Sequence, residues 1–370
     1  MVSIEQIAPL EVFRDAVAAN RLTERAHPKF PELSVFNYSS DTQFAQDWDV
    51  ITLSSRGLIV NTVTGEIVAR PFYKFFNFGD SKNIGELDYN GRIEVMDKAD
   101  GACGILYTLP DGSFAVSTRG SMDSEPARHA TEVYNERYAG AWSPNPNHTY
   151  MFEIIYPGWP IVLNYGDMDD LILLGAVDKE TGASVSWEEI LSTGWSGPVV
   201  ERFEYASFED VVADSKIDHE GREGFVVHFL DADKRVKLKF ADYLRLHKII
   251  YGVTPLRIWE LLRSGASVEH WVRNVPDEFA ADVTRVAGEM TDHFNLMMRD
   301  ARNLHEKIVS ILPENYTRKD LALTAKEHAF SAWLPGKLGF TSVMSIEAGR
   351  LASVEASLWN AIRPDGSDRL

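Results

Sequence analysis

One short segment concentrates the chemistry of this chain: Val95-Met96-Asp97-Lys98-Ala99-Asp100-Gly101. It sets a lysine at the end of an apolar run and follows it with Asp and Gly. Lys-x-Asp-Gly suits an amine that attacks the α-phosphate of a nucleotide and keeps the nucleotide as a covalent phosphoramidate. Such chemistry makes four demands. The amine must be neutral to attack, so its usual pKa of ~10.4 must fall, through nearby cations or desolvation. Phosphorus gathers negative charge in the transition state, so cations must surround it. A divalent metal must neutralise the departing pyrophosphate, which calls for carboxylates. The base needs an apolar or aromatic slot.

The chain offers a candidate for each demand. In order they are Ser55-Arg56-Gly57, Arg70-Pro71-Phe72-Tyr73-Lys74-Phe75-Phe76-Asn77, Lys98-Ala99-Asp100-Gly101, Thr118-Arg119-Gly120-Ser121, Phe152-Glu153-Ile154, Glu223-Gly224-Phe225-Val226 and Lys237-Leu238-Lys239. Gly101 permits close backbone approach to a nucleotide. Glu153 lies in the apolar run Tyr150–Ile155 and by alternation shares a face with Met151 and Ile155, so its carboxylate needs a partner: a ribose hydroxyl or a metal. Glu223 directly precedes the run Phe225–Phe229 and is the favoured second metal carboxylate, with Glu220 as the alternative. Lys237 and Lys239 share one face of an extended segment while Val236, Leu238 and Phe240 face a core. These two cations would grip the α-phosphate and depress the pKa of Lys98. Phe76 is a candidate packing surface for the nucleotide, and Cys103 reads as a small packed residue. The ten histidines form no ligand pair, and no glycine-rich phosphate loop is present.

In this order and at these separations the segments resemble the motifs of the covalent nucleotidyltransferases, which comprise the ATP-dependent ligases and the capping enzymes. The Arg56-Gly57 and Arg70-Pro71-x-x-Lys74-Phe75-Phe76-Asn77 segments narrow the resemblance to the T-even phage RNA ligase 1 family, ATP-dependent RNA ligases of tRNA repair. It covers about residues 50–242. The resemblance implies that Lys98 attacks ATP to give lysyl-AMP, that AMP passes to an RNA 5′-phosphate, and that a 3′-hydroxyl then seals the strand. It implies ATP with Mg²⁺, or Mn²⁺, as cofactors. Arg56, Lys74 and Arg119 are placed near the phosphates and ribose, and Gly224 joins the nucleotide-binding set. The implied partners are RNA with 5′-phosphate and 3′-hydroxyl ends, such as a nicked tRNA, and a polynucleotide kinase/phosphatase acting on the same ends. The cytoplasm is the expected location, a host's if the protein is phage-encoded.

These residues must be carried by a scaffold, and two regimes are legible. Residues from about 33 to 242 hold short β-type runs between turn signals: 57–60, 104–107, 114–117, 150–155, 171–174, 225–229 and 236–240. Helical patterns interrupt them at 9–20, 123–139 and 186–192. After Asp242 the pattern turns helical. A stripe of Phe279, Val283, Val286, Met290, Phe294, Met297, Ala301, Leu304, Ile308 and Ile311 predicts one long helix over 277–311, with Pro276 and Asp277 in its first turn. Shorter helices are expected at 255–263, 318–328 and 345–361. The predicted fold is therefore α+β: an antiparallel-sheet adenylation domain at 1–242, followed by an all-α domain at 243–370 that is a candidate for RNA (tRNA) specificity.

Composition bounds partners. The net charge is −18, which disfavours nonspecific nucleic-acid binding. Residues 243–370 hold 16 basic and 16 acidic residues, so residues 1–242 carry the whole imbalance. A polyanion site must be a local cation cluster within an acidic shell. One cysteine excludes an internal disulfide and a Cys-based zinc site. No apolar run reaches 18 residues and the N-terminus lacks a secretory pattern, so no membrane partner is expected. Competing readings are a DNA ligase or capping guanylyltransferase, disfavoured because those relatives carry a β-barrel where this chain reads as helical, and a binding module that has lost catalysis.

Overall fold

The computed structural model describes residues 2–157, 162–219, 221–244, 254–272 and 277–364. The chain divides into two compact units, Met1–Ile250 and Tyr251–Leu370. The first unit opens with α1 (Leu10–Ala18), β1 (Leu22–Ala26), β2 (Leu33–Tyr38), α2 (Ser40–Ala45), α3 (Val50–Ser54), β3 (Arg56–Asn61) and β4 (Glu66–Ala69). Then come β5 (Phe76–Asn77), α4 (Ser81–Ile84), β6 (Ile93–Asp97), β7 (Ala102–Thr108), β8 (Phe114–Thr118), α5 (Glu125–Arg137), β9 (His148–Ile155) and β10 (Asp170–Asp178). It closes with α6 (Trp187–Ser192), β11 (Arg202–Phe203), α7 (Phe208–Asp214), β12 (Gly224–Phe229) and β13 (Lys234–Lys239).

These strands make three sheets, ordered β1-β2-β3-β4, β10-β9-β7-β8 and β11-β6-β12-β13-β5. Every pairing is antiparallel except β13 with β5. The α+β, antiparallel reading of the sequence is what the chain adopts. Shared cores hold the sheets together. Met96 of β6 is buried in one cluster with Leu106, Phe152 and Leu173 of the second sheet. Ile59 of β3 shares another with Tyr107 and Met151.

Some elements lie outside the sequence expectation. β1 precedes the expected start near 33; Glu24 and Arg25 break its apolar alternation, and this edge strand is held by backbone pairing to β2 and by Leu22, buried with Phe13, Phe36 and Leu58. Helices α2, α3 and α7 are too short for a periodic signal, but their caps specify them: Ser39 accepts from Thr42 N–H, Asp49 and Thr52 form a capping box, and Ser207 accepts from Asp210 N–H.

The second unit contains α8 (Pro255–Ser264), α9 (Val268–Val272), α10 (Asp277–Ser310), α11 (Arg318–His328), α12 (Gly336–Glu347) and α13 (Leu351–Ala361). The C-terminal half of the α10 stripe is core: Met297, Ala301, Leu304 and Ile308 pack with Leu321, Val343 and Leu358. Two expectations are corrected. Ile311 lies past the helix end and is 56% exposed. The pattern at 345–361 is two helices, since Gly349 takes a left-handed φ of +68° between them. Pro276 lies outside the described residues. Among the described residues no helix is long and apolar enough to cross a membrane.

Candidate active site

Three neighbouring strand ends bring the chemistry together. Lys98 leaves β6, and its backbone N–H donates to the carbonyl of Gly224, which opens β12, at 2.9 Å. Gly224 in turn pairs with Lys239, which ends β13. The side chains converge on one carboxylate: Lys98 Nζ stands 2.7 Å from Glu223 Oε2, and Lys239 Nζ stands 2.8 Å from Glu223 Oε1. Glu223 is 2% exposed. Burial alone would raise its pKa, but the ammonium groups of Lys98 and Lys239 outweigh that and hold the carboxyl below its ordinary range.

Glu153 supplies a second carboxylate from β9, where it lies between Cys103 of β7 and Ile172 of β10. Its Oε1 accepts the Gly101 N–H at 3.0 Å. Burial pushes its pKa up to about 7, with Lys98 opposing and Glu223 adding to the rise. The two carboxylates therefore feel each other and the same lysine.

The remaining cations are mounted on aromatic rings. Lys74 is buried; its Nζ donates to Gln43 Oε1 at 3.1 Å and lies 5.1, 5.3 and 5.5 Å from the ring centroids of Tyr38, Trp48 and Phe76. Arg119 follows β8, and its Nη1 donates to Tyr38 Oη at 2.7 Å. Arg56 and Lys237 both sit 5.3 Å from the Phe75 ring centroid. Arg56 Nη1 also reaches Cys103 Sγ at 3.9 Å. A cation held over a desolvated ring gains attraction while staying available to an anion on its open side.

Glycines set the spacing of these parts. A Cβ at Gly224 would fall 2.0 Å from the Leu238 carbonyl oxygen, so the β12–β13 approach excludes any side chain there. A Cβ at Gly101 would fall 2.6 Å from the Ile154 carbonyl oxygen. The close backbone approach expected at Gly101 is thus that of β9 itself. At Gly57, with φ +95°, an added Cβ would fall 2.3 Å from Ile105 Cδ1 and 3.1 Å from the Cα of Arg119, so the strand after Arg56 passes close to the Arg119 backbone.

Lys98, Glu223 and Lys239 are in direct contact; Glu153 joins them electrostatically, and Gly101 and Gly224 pack the strands behind them. Arg56, Lys237 and Phe75 form a second group; Lys74, Phe76 and Arg119 a third, joined through Tyr38 and Trp48. Glu220 lies outside the described residues. Sequence reasoning gave no role to Asp100, Tyr165, Tyr243, Gln43, Tyr38 or Trp48. Asp100 Oδ2 accepts the N–H groups of Val162 and Leu163, each at 2.9 Å, and its Oδ1 accepts from Tyr243 Oη at 3.1 Å. Its own N–H donates to Tyr165 Oη at 2.8 Å. The Asp of Lys98-x-Asp-Gly therefore anchors the loop that follows Lys98. Only Asp100 carried a sequence signal, by its place in that motif.

Among the described residues no group of three or more His, Cys, Asp and Glu side chains gathers as a cation cage. Glu153 and Glu223 interact electrostatically as a pair of carboxylates. That donor set fits a magnesium ion bound through one or two carboxylates, with substrate phosphates and water completing the shell.

Residues 54–244, just over half of the chain, match the family described as RNA ligase. The chain belongs to that family. It is 27% identical over 241 residues to a candidate bifunctional polynucleotide kinase/RNA ligase of Autographa californica nuclear polyhedrosis virus, covering 59% of this chain and 34% of the viral protein. The chain thus spans about a third of the length of that relative. It is 24% identical to an RNA ligase of Rhodothermus phage RM378, covering 83% of this chain and 85% of the phage protein. Among solved structures, an archaeal ATP-dependent RNA ligase aligns with 16% identity and a TM-score of 0.45, over 79% of this chain and 80% of its own.

Proposed function

We propose that the protein is an ATP-dependent RNA ligase that joins 5′-phosphate and 3′-hydroxyl RNA ends through lysyl-AMP and adenylylated-RNA intermediates. The observation that carries this reading is the contact of Lys98 Nζ with a buried carboxylate that also binds Lys239. A lone surface lysine has no need of such a setting; a nucleophile that must be aimed and then released does.

In the first step Lys98 Nζ attacks the α-phosphorus of ATP, the P–O bond to pyrophosphate breaks, and the amine proton leaves for solvent or a neighbouring base. Attack requires Lys98 to part from Glu223. An α-phosphate arriving between Lys98 and Lys239 would draw Lys239 to itself and weaken the same pair. Lys237 and Arg56, both on Phe75, flank the phosphates, and Lys74 and Arg119 serve the phosphate tail and ribose. Glu153 and Glu223 would hold the magnesium that arrives with ATP, which screens the pyrophosphate charge. In the second step a 5′-phosphate oxygen of RNA attacks the AMP phosphorus and Lys98 departs. In the third, a 3′-hydroxyl attacks the RNA 5′-phosphorus and AMP departs. The substrate reading extends to broken tRNA, with ends prepared by a polynucleotide kinase/phosphatase and recognition by the helical region, assigned to 243–370 beside an adenylation domain at 1–242.

Incubation with α-³²P-labelled ATP and magnesium tests the first step. A covalent label on wild type, absent from Lys98→Ala, is expected; label persisting in that variant would sink the assignment. Parallel assays with GTP and with DNA ends separate a capping enzyme or DNA ligase. Those alternatives are disfavoured because the described residues after 253 form helices only, with no β-barrel among them.

A further inference from the structure

Strand alternation puts three cations of β13 on one face: Arg235, Lys237 and Lys239. Each meets an aromatic ring. Lys237 lies over Phe75 and Lys239 lies 5.2 Å from the Tyr243 centroid. Arg235 makes the tightest contact, with Cζ 3.8 Å from the centroid of Phe72. The Arg235 side chain is only 11% exposed. Its Nη1 donates to Ser184 Oγ at 2.9 Å and stands 3.7 Å from Asp233 Oδ1. Asp233 is itself tied down by His228 Nε2 at 2.7 Å and by the Ser184 N–H at 2.8 Å.

Phe72 is held by more than Arg235. A Cβ added to Gly175 of β10 would fall 2.9 Å from Phe72 Cζ, so this ring occupies the space a side chain would take at Gly175. Phe72 lies in the middle of residues 70–75, which have neither helix nor strand. Just downstream are Lys74, Phe75 and Phe76, the last pairing with Val236 next to Arg235. The backbone of this irregular segment is tied by the Arg70 N–H to Thr149 Oγ1 at 2.8 Å and by the Lys74 N–H to the Leu53 carbonyl at 2.9 Å, and between those two points side-chain anchors must help define its path.

We infer that Arg235 is a positioning residue of the nucleotide site: by stacking on Phe72 it fixes the 70–76 segment, and so the placement of Lys74 and of the Phe75 ring on which Arg56 and Lys237 both lie. This rests on the reading of those cations as the grip on the ATP triphosphate. Arg235 acts through Phe72 and touches no reacting atom. The planar guanidinium matters because it can lie flat on the ring while its edge bonds Ser184, which a lysine cannot do.

The test separates steps that need the triphosphate from one that does not. Self-adenylylation requires ATP, whereas sealing of chemically pre-adenylylated RNA requires only the site and the strand ends. In Arg235→Met, Arg235→Lys and Phe72→Leu, the KM for ATP in self-adenylylation should rise by up to about thirtyfold, the size of a desolvated cation–ring contact. Sealing of pre-adenylylated RNA, whose AMP keeps the ribose and α-phosphate but lacks the β- and γ-phosphates, should fall by a clearly smaller factor than self-adenylylation. Equal losses in both reactions, or no change in either, would overturn the inference. If Arg235→Met does not fold, the milder Arg235→Lys and Phe72→Leu decide it. Failure of the wild type to take label from ATP would instead count against the proposed function, so the two failures are distinguishable.

Discussion

Lys98 Nζ and Glu223 Oε2 lie 2.7 Å apart, and the same carboxylate holds Lys239 through its other oxygen at 2.8 Å. One buried anion thus aligns two amines from different strands. The fold uses this contact for structure, and the proposed chemistry needs it to open.

Glu223→Gln should cost both stability and labelling. A neutral amide leaves two largely buried ammonium groups without their anion, and removing one partner of a buried pair typically costs about 3–5 kcal/mol. Urea denaturation of the variant should show that loss, and α-labelled ATP should leave it unlabelled. A variant as stable as wild type would mean the trio contributes nothing to the fold.

Glu153 should leave a signature in the pH dependence of stability. Its ordinary pKa of 4.5 is pushed up to about 7 in the fold. The native state therefore binds this proton more tightly than the unfolded state. Its contribution is full below about pH 4.5 and is lost as pH rises through 7. Glu153→Gln, which cannot titrate, should flatten that part of the curve of urea midpoint against pH. An unchanged slope would show that another group sets it.

Two glycines of the motifs should respond oppositely to alanine. At Gly224 the new methyl meets the Leu238 carbonyl oxygen at 2.0 Å, and relieving such overpacking costs about 1–3 kcal/mol or more. It should also displace Lys239 and depress labelling. Gly120, beside Arg119, has nothing within 4 Å of an added Cβ, so Gly120→Ala should match wild type in thermal unfolding and in labelling. Equal tolerance at both positions would contradict the strand approach described.

A chain ending at Ile250 should fold and take label from ATP, because the trio, the aromatic-mounted cations and their cores all belong to the first unit. Loss of labelling on truncation would show that the helical unit contributes to the first step. If sealing of nicked tRNA survives truncation unchanged, a recognition role for the helices is wrong.

The strands that carry the site were legible because apolar runs such as Phe225–Phe229 are short, rich in β-branched and aromatic residues, and bounded by turn signals. The long helix α10 was legible through its stripe. Elements held by something other than periodicity were not. β1 relies on backbone pairing and one buried leucine, Leu22, α2 and α3 rely on their capping side chains, and the break between α12 and α13 hangs on the backbone freedom of Gly349.

For the candidate site, sequence alone named the cast: Lys98, the carboxylates Glu153 and Glu223, and a row of cations in a fixed order. Side-chain alternation even put Lys237 and Lys239 on one face. What only the tertiary structure decided is which of them touch. Glu223 pairs with Lys98 and Lys239 because β6, β12 and β13 are neighbours, a fact of long-range strand register that no local pattern encodes. The rings of Tyr38, Trp48 and Phe75 become mounts for Lys74, Arg119, Arg56 and Lys237 for the same reason. Residues tens of positions apart meet only when burial of the shared cores brings their strands together, and the energy of that burial is spread over the whole unit rather than written in any one segment.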